Sequence, residues 1–344
     1  MLALTVGPVT GCSSVGYYFQ ALNGQMELTR KARPIPEVIA DPATAPALKA
    51  KLGEVVQMRD FASQELHLPN NGSYRRYADI GRPYVVWNVF AAPEFSVQPK
   101  EWCFPFAGCV GYKGYFSKVG AEQLAAELRA QQYDVFVGGV PAYSTLGWLD
   151  DPVLSTFVGY PKAEIARLMF HELAHQTVYV KGDSTFNESF AVTVEREGVD
   201  RWLAAHGTEA QQRTFDQQRL RAQAFAELVA KYRAGLDDLY AEPLDPATMR
   251  SRKQEVLAQM RAEYERMKQS WDGYTGYDWW FEQPLNNAQL ASLAIYTQLV
   301  PAFERILHDN DGDLPRFYAE VKRIAALPQA QRDAELGKLN AARG

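Results

Sequence analysis

The sequence predicts an α+β fold that is predominantly helical, with a mixed half carrying a small sheet and a second half of helices built around a long helical hairpin. Three observations carry that expectation. Strand formers concentrate between about Arg82 and Phe116, where Tyr84, Val85, Val86 and Trp87 stand together. From Pro161 onward nearly every segment is helical in pattern. Between Glu209 and Trp271 the chain is rich in Gln, Arg, Glu, Ala and Leu and is broken only near Glu242 to Asp245, as two long helices folded back on each other would be.

In chain order, an apolar tail over residues 1–12 comes first, and helix-like patterning runs from about Pro42 to Leu66. The strand region follows, then a helical stretch from Ala121 to Gln132, the apolar run Val135 to Val137, and a candidate strand from Tyr143 to Trp148. Pro161 suits the first turn of the next helix, where a missing N–H costs nothing. After the hairpin come a helix from about Asn287 to His308 and two shorter ones. The expected organisation is a signal-type segment over 1–12, a mixed subdomain over 13–205 and a helical subdomain over 206–344. No internal repeat or low-complexity linker interrupts it.

A chain of 344 residues buries a full core without staples. Its formal charge of -5 argues against nucleic acid as a partner, since phosphate-backbone binding needs a clustered excess of Lys and Arg. No apolar run approaches the length that spans a bilayer.

Leu2 to Val9 form an uncharged apolar run, and Val9, Thr10, Gly11 and Cys12 resemble the lipobox of bacterial lipoproteins. That resemblance implies a lipid on Cys12 as the only membrane attachment, and a location on the periplasmic side of the bacterial cell envelope; a cytosolic protein with an apolar N-terminus and a chance Gly-Cys pair is the plainer alternative. Such a segment opens with basic residues, whereas only Met1 precedes the run, so it is expected to continue upstream. Of three cysteines, Cys103 and Cys109 remain once Cys12 is set aside, close together in CFPFAGC. They can pair as a disulfide, which an oxidising compartment would keep. No second cysteine pair or nearby histidine completes a structural zinc site around them.

The chemistry concentrates in HELAH, residues 171 to 175. His171 and His175 are four apart, so on a helix both imidazoles project from one face, where a single Zn²⁺ can bridge them. Ile165, Met169 and Leu173 recur every fourth position beside them, the stripe of a buried helix. Glu172 points slightly around the helix, near the ion's water but outside its coordination positions, which makes it the natural general base. The expected reaction is Glu-assisted attack of a zinc-bound water on a peptide carbonyl, with one zinc per chain and peptides as substrates. Two satisfied core histidines are the plainer alternative.

A catalytic zinc takes three protein ligands. His67, His206 and His308 are all far from HELAH in sequence, so a carboxylate is the better candidate. Glu188 lies thirteen positions beyond His175, in TFNESFA, where a turn through Lys181 and Gly182 lets a second helix return beside the first. Two alternatives stand next to it. Thr185 and Glu188 also fit a capping box. Glu195, seven residues on and on the same face, is either a rival ligand or an outer carboxylate orienting a histidine.

HELAH followed by NESFA resembles the gluzincin peptidases, whose third ligand is a Glu on the next helix. More narrowly, FHELAHQ, FNESFA and EREGVDRW between about Ala166 and Trp202, together with NNAQLASLAIY over 286–296, resemble a predicted aminopeptidase family of bacterial envelope proteins. The resemblance implies a zincin-like catalytic half, zinc held by His171, His175 and Glu188, Glu172 catalytic, and cleavage of N-terminal residues. Spacing does not select the acid that would hold a substrate amine; Asp150, Asp151 and Glu282 are candidates. Tyr296 is a candidate oxyanion donor or simply core. The Tyr143–Trp148 strand is the candidate substrate-pairing edge. Two further functions compete: an endopeptidase of envelope proteins, and a non-catalytic metal-binding lipoprotein or assembly factor. Intact Glu172 argues against the last, since a structural zinc site needs no base.

Overall fold

The run VWNVFAAP forms the strand Val86–Pro93, buried along all but its last residue. An apolar run with so little alternation suits a strand covered on both faces. In the computed structural model, which describes residues 12–104 and 108–341 and the side chains of 16–104 and 108–340, this strand is the centre of a three-stranded antiparallel sheet. It pairs along its whole length with Tyr133–Val140 on one side, and on the other with the short edge strand Lys113–Tyr115. Trp87, Val89 and Ala91 pack on Ala121, Ala125 and Leu128 of the helix Lys118–Ala130. From the other face, Phe90 and Ala92 meet Ala288 and Ile295 of the helix Asn287–Thr297. Val86 and Asn88, on that same face, are left to line a cavity.

Two smaller sheets flank this one. Arg33–Pro34, Arg76–Ala78 and Val153–Leu154 form one, and the hairpin of Trp102–Phe104 with Gly108–Val110 forms the other. Cys103 and Cys109 stand opposite each other in that hairpin with their sulfurs bonded at 1.98 Å. The lipobox-like residues before position 12, and the thiol of Cys12, lie outside the described residues.

The helices sort into two cores. One surrounds the helix Lys162–Ala174 and the returning helix Ser184–His206, and it runs from Leu28 near one end of the chain to Leu336 near the other. Phe303, Phe317, Val321 and Ile324 of the helices Val300–Asp309 and Leu314–Ala325 belong to it. The second core lies within the long hairpin, whose arms are Glu209–Tyr240 and Pro246–Ser270. There Phe225, Leu236, Met260 and Tyr264 pack on Trp280 and Phe281. The break expected near Glu242 to Asp245 is thus a tight turn, capped by Asp245 accepting from Ala247 N and Thr248 N. No helix among the described residues is long and apolar enough to cross a membrane.

Two expectations are corrected, and a third feature was not expected at all. The single helix expected over Asn287–His308 is two, because Pro301 in the first turn of the second has no N–H with which to continue the first. The expected strand Tyr143–Trp148 is a loop: Leu146 (φ 58°) and Gly147 (φ 80°) are left-handed, a conformation no strand residue adopts. Thr145 holds that loop shut, its N–H donating to Asp151 Oδ2 at 3.0 Å and its hydroxyl to Leu149 O. The third is an omission. Cys12–Lys31 forms a twenty-residue helix that the sequence pattern did not reveal, with Gly16 and Gly24 inside it obscuring the period.

Candidate metal centre

The helix Lys162–Ala174 is buried almost all round from Ile165 to its end, so His171 and Glu172 are presented by a rigid element. His175 follows as the C-cap with helical dihedrals (φ −59°, ψ −23°), and the four-residue spacing therefore keeps its geometry. The two Nε2 atoms lie 3.3 Å apart.

The connection to the next helix is pinned by side chains. Asn187 accepts from Val180 N at 2.7 Å and donates to Val180 O at 2.8 Å. Asp183 caps the helix by accepting from Phe186 N, while its other carboxylate oxygen pairs with Arg332 at 2.7 Å. Because Asp183 is the cap, the Thr185–Glu188 capping box does not form. Glu188 sits in the second turn, its carboxylate 3.2 Å from His171 Nε2 and 3.6 Å from His175 Nε2. All three residues are buried.

These distances test whether one ion fits. Ligand atoms about 2.1 Å from a tetrahedral ion lie about 3.4 Å from one another. The observed triangle has sides of 3.2, 3.3 and 3.6 Å. The buried group His171, His175 and Glu188 can therefore hold a metal ion.

Glu195 takes the outer role. It lies 2.9 Å from His171 Nδ1, the ring nitrogen turned away from the triangle, and Arg167 holds its carboxylate at 3.2 Å. An acceptor there keeps the proton on Nδ1, so a bound cation would displace only the Nε2 proton and meet that nitrogen's lone pair facing inward. The electrostatics agree. Burial pushes the His171 imidazole down, but the hydrogen bonds it donates to Glu188 and Glu195 outweigh it and hold its pKa above the ordinary value. Burial likewise pushes Glu188 up, and the His175 and His171 imidazoles pull it well below the carboxylate range. Both shifts describe a place that favours positive charge. For Glu172, burial prevails over the neighbouring imidazoles and its carboxyl is raised.

His171, Glu172, His175 and Glu188 open onto a cavity of about 430 Å³. Its walls come from distant parts of the chain: Val86 and Asn88 of the sheet, Tyr112 and Phe116 beside it, Tyr143 and Leu146 of the loop, and Tyr17, Tyr18 and Ala21 of the first helix. Tyr112, Tyr179 and Tyr296 gather around Glu188; burial first, and then its charge, raises each of their pKa values. Hydroxyls so held stay protonated and serve as donors. Tyr296 has its ring 6.4 Å from that of His171.

The candidate amine-binding acids are elsewhere. Neither Asp150, Asp151 nor Glu282 lines the cavity, and among the described residues that do, the carboxylates are Glu172 and Glu188. Asp151 is buried under the Thr145 loop, and burial pushes its carboxyl up to about 7. Glu282 is exposed beside the hairpin core. Sequence reasoning missed Tyr17, Tyr18, Tyr112 and Tyr179, since nothing in their spacing separates them from the other fourteen of 18 tyrosines.

No curated protein and no solved structure matches the chain. A family model does: the one described as "Putative aminopeptidase" matches residues 16–336. That span takes in the first helix, the central sheet, both metal-centre helices and the hairpin, and the chain belongs to this aminopeptidase family.

Proposed function

We propose that this protein is a zinc-dependent aminopeptidase, on the strength of one observation: a buried His171, His175 and Glu188 triangle with Glu172 beside it, open to a cavity. Two imidazoles and one carboxylate are a donor set that suits zinc and leaves a coordination position open. Zinc bound there supplies Lewis acidity, polarising a peptide carbonyl and making water acidic. Glu172 takes a proton from the attacking water and hands it to the nitrogen of the leaving amine. Tyr112 and Tyr296 stand ready to donate to the carbonyl oxygen as it gains charge. Glu195, through His171, holds the ligand geometry.

The enzyme works on the periplasmic side of a bacterial envelope, tethered by lipid on Cys12. What supports this location is the bonded pair Cys103 and Cys109, which an oxidising compartment keeps. The test of the enzymatic reading is to quantify bound metal and the hydrolysis of amino-acid amides for the parent and for Glu172→Gln. Zinc near one per chain in both, with the variant's activity down by about 10²–10⁴-fold, is the expected result. Zinc with no hydrolysis by the parent would favour a non-catalytic metal protein, and absence of zinc would remove the reading.

A further inference from the structure

The sheet edge beside the cavity is occupied by the chain's own first helix. Lys113–Tyr115 pairs with the central strand on one side only. On its outer side Gly114 C=O and Phe116 N–H point away from the sheet, and both are taken by Gln20. Its side-chain Nε2 donates to Gly114 O at 3.4 Å, and its Oε1 accepts from Phe116 N at 3.0 Å. One amide bridging a carbonyl and an N–H two residues apart makes the two bonds that a residue of an added parallel strand would make. Gln20 thus caps the edge at which an extended peptide would pair.

The rest of the helix is seated to match. Gly24 lies so close to Phe116 that a Cβ at that position would come within 2.1 Å of its ring. Tyr17 stacks on Phe104 with ring centroids 5.4 Å apart, and Lys113 Nζ lies 4.4 Å from the centre of the Tyr17 ring. Tyr17, Tyr18 and Ala21 then form a wall of the cavity that holds Glu172. An extended chain advances about 3.3 Å per residue, so any stretch running toward this wall meets it within a few residues. Among the described residues the cavity also offers no carboxylate beyond Glu172 and Glu188 with which to recognise a terminal amine by charge.

We propose that Gln20 and the helix carrying it select chain ends by shape: they block the sheet edge and leave the substrate cleft blind on one side. This rests on the aminopeptidase reading for which end is held, but the steric claim is testable without turnover. In a Glu172→Gln background, two decapeptides of one sequence, labelled with fluorescein at the C-terminus, are compared by anisotropy. One has a free amino terminus and the other carries an acetyl-tetraglycine extension there. The expected result is that the parent background binds the extended peptide at least tenfold more weakly. Gln20→Ala and Gly24→Leu, each added separately, should narrow that gap at least fivefold by strengthening binding of the extended peptide. Gln20→Ala removes only two hydrogen bonds from a half-buried amide, so it keeps the test valid should Gly24→Leu fail to fold. Equal binding of the two peptides by the parent overturns the proposal. So does an unchanged gap in the folded variants, or a gain for both peptides alike, which would make the helix a general plug. A narrowed gap in a protein whose Glu172 form hydrolyses nothing would keep the shape selection while removing the peptidase.

Discussion

Two consecutive pairs of helices in this molecule are built on opposite terms. In the metal-centre pair, every residue from Phe186 to Glu195 is buried, charged ones included. In the hairpin that follows, burial is confined to a stripe such as Phe225, Leu228, Val229, Tyr232 and Leu236, and Leu220 stands 64% exposed. Charges along the hairpin keep their water and cost little. Those in the metal-centre pair have lost it, and a buried charge persists only when something compensates it. Glu188 is compensated by two imidazoles, His171 by Glu188 and Glu195, and Glu195 by Arg167. That mutual compensation of buried charges sets the pair apart from the hairpin's solvated faces.

The hairpin has one residue that obeys the other rule, and it offers the largest expected effect. Lys253 is buried, with Nζ 2.6 Å from Asp134 Oδ2 and 2.9 Å from Glu94 O, both at the end of the central sheet nearest the hairpin. Lys253→Met leaves Asp134 without its cation and should cost roughly 3 kcal/mol in urea unfolding. A loss under 0.5 kcal/mol would show that this ion pair adds nothing net to the hairpin's attachment and would deepen the contrast. On the metal-centre side, Glu195→Gln keeps the size of the group beside His171 Nδ1 but removes its charge. Zinc affinity should fall about 10–100-fold by competition with a chelator, with the fold intact by circular dichroism. An unchanged affinity would reduce Glu195 to an ion-pair partner of Arg167.

Asp151 tests the middle ground, a buried acid with hydrogen bonds from Thr145 and, among the described residues, no cation in contact. Burial raises its pKa to about 7, so between the unfolded value near 4 and about 7 the folded protein holds a proton that the unfolded chain has lost. Stability therefore falls as pH rises through that window and is lowest above it. Relative to the parent, Asp151→Asn should gain more than about 1 kcal/mol in urea unfolding at pH 8.5 and little at pH 4. A difference independent of pH would mean that Asp151 is ionised throughout.

Legibility divided along the same line. The hairpin was readable to within a few residues, since an amphipathic helix writes its period in its own sequence, and Glu242 to Asp245 supplied the stop. HELAH and Glu188 were readable because a metal needs donors at helical spacing and the intervening turn is short. The first helix was not, and the strand expected at Tyr143–Trp148 turned into a loop because Gly147 supports a left-handed turn that Asp151 holds through Thr145. Asp183, rather than Thr185, capping the return helix likewise depended on Arg332, distant in sequence, sharing its carboxylate.

By itself the sequence determined what is local: the predominantly helical α+β class, the turn-by-turn spacing of His171 and His175, and the carboxylate of Glu172 between them. Backbone periodicity acts over a few residues and needs no other part of the chain. Only the tertiary structure decided that Glu195 stands behind His171, that Asp150, Asp151 and Glu282 stay out of the cavity, and that Gln20 occupies the edge of Lys113–Tyr115. Those relations join residues up to 96 positions apart. They arise from packing, where shape and burial select among contacts that no local pattern encodes.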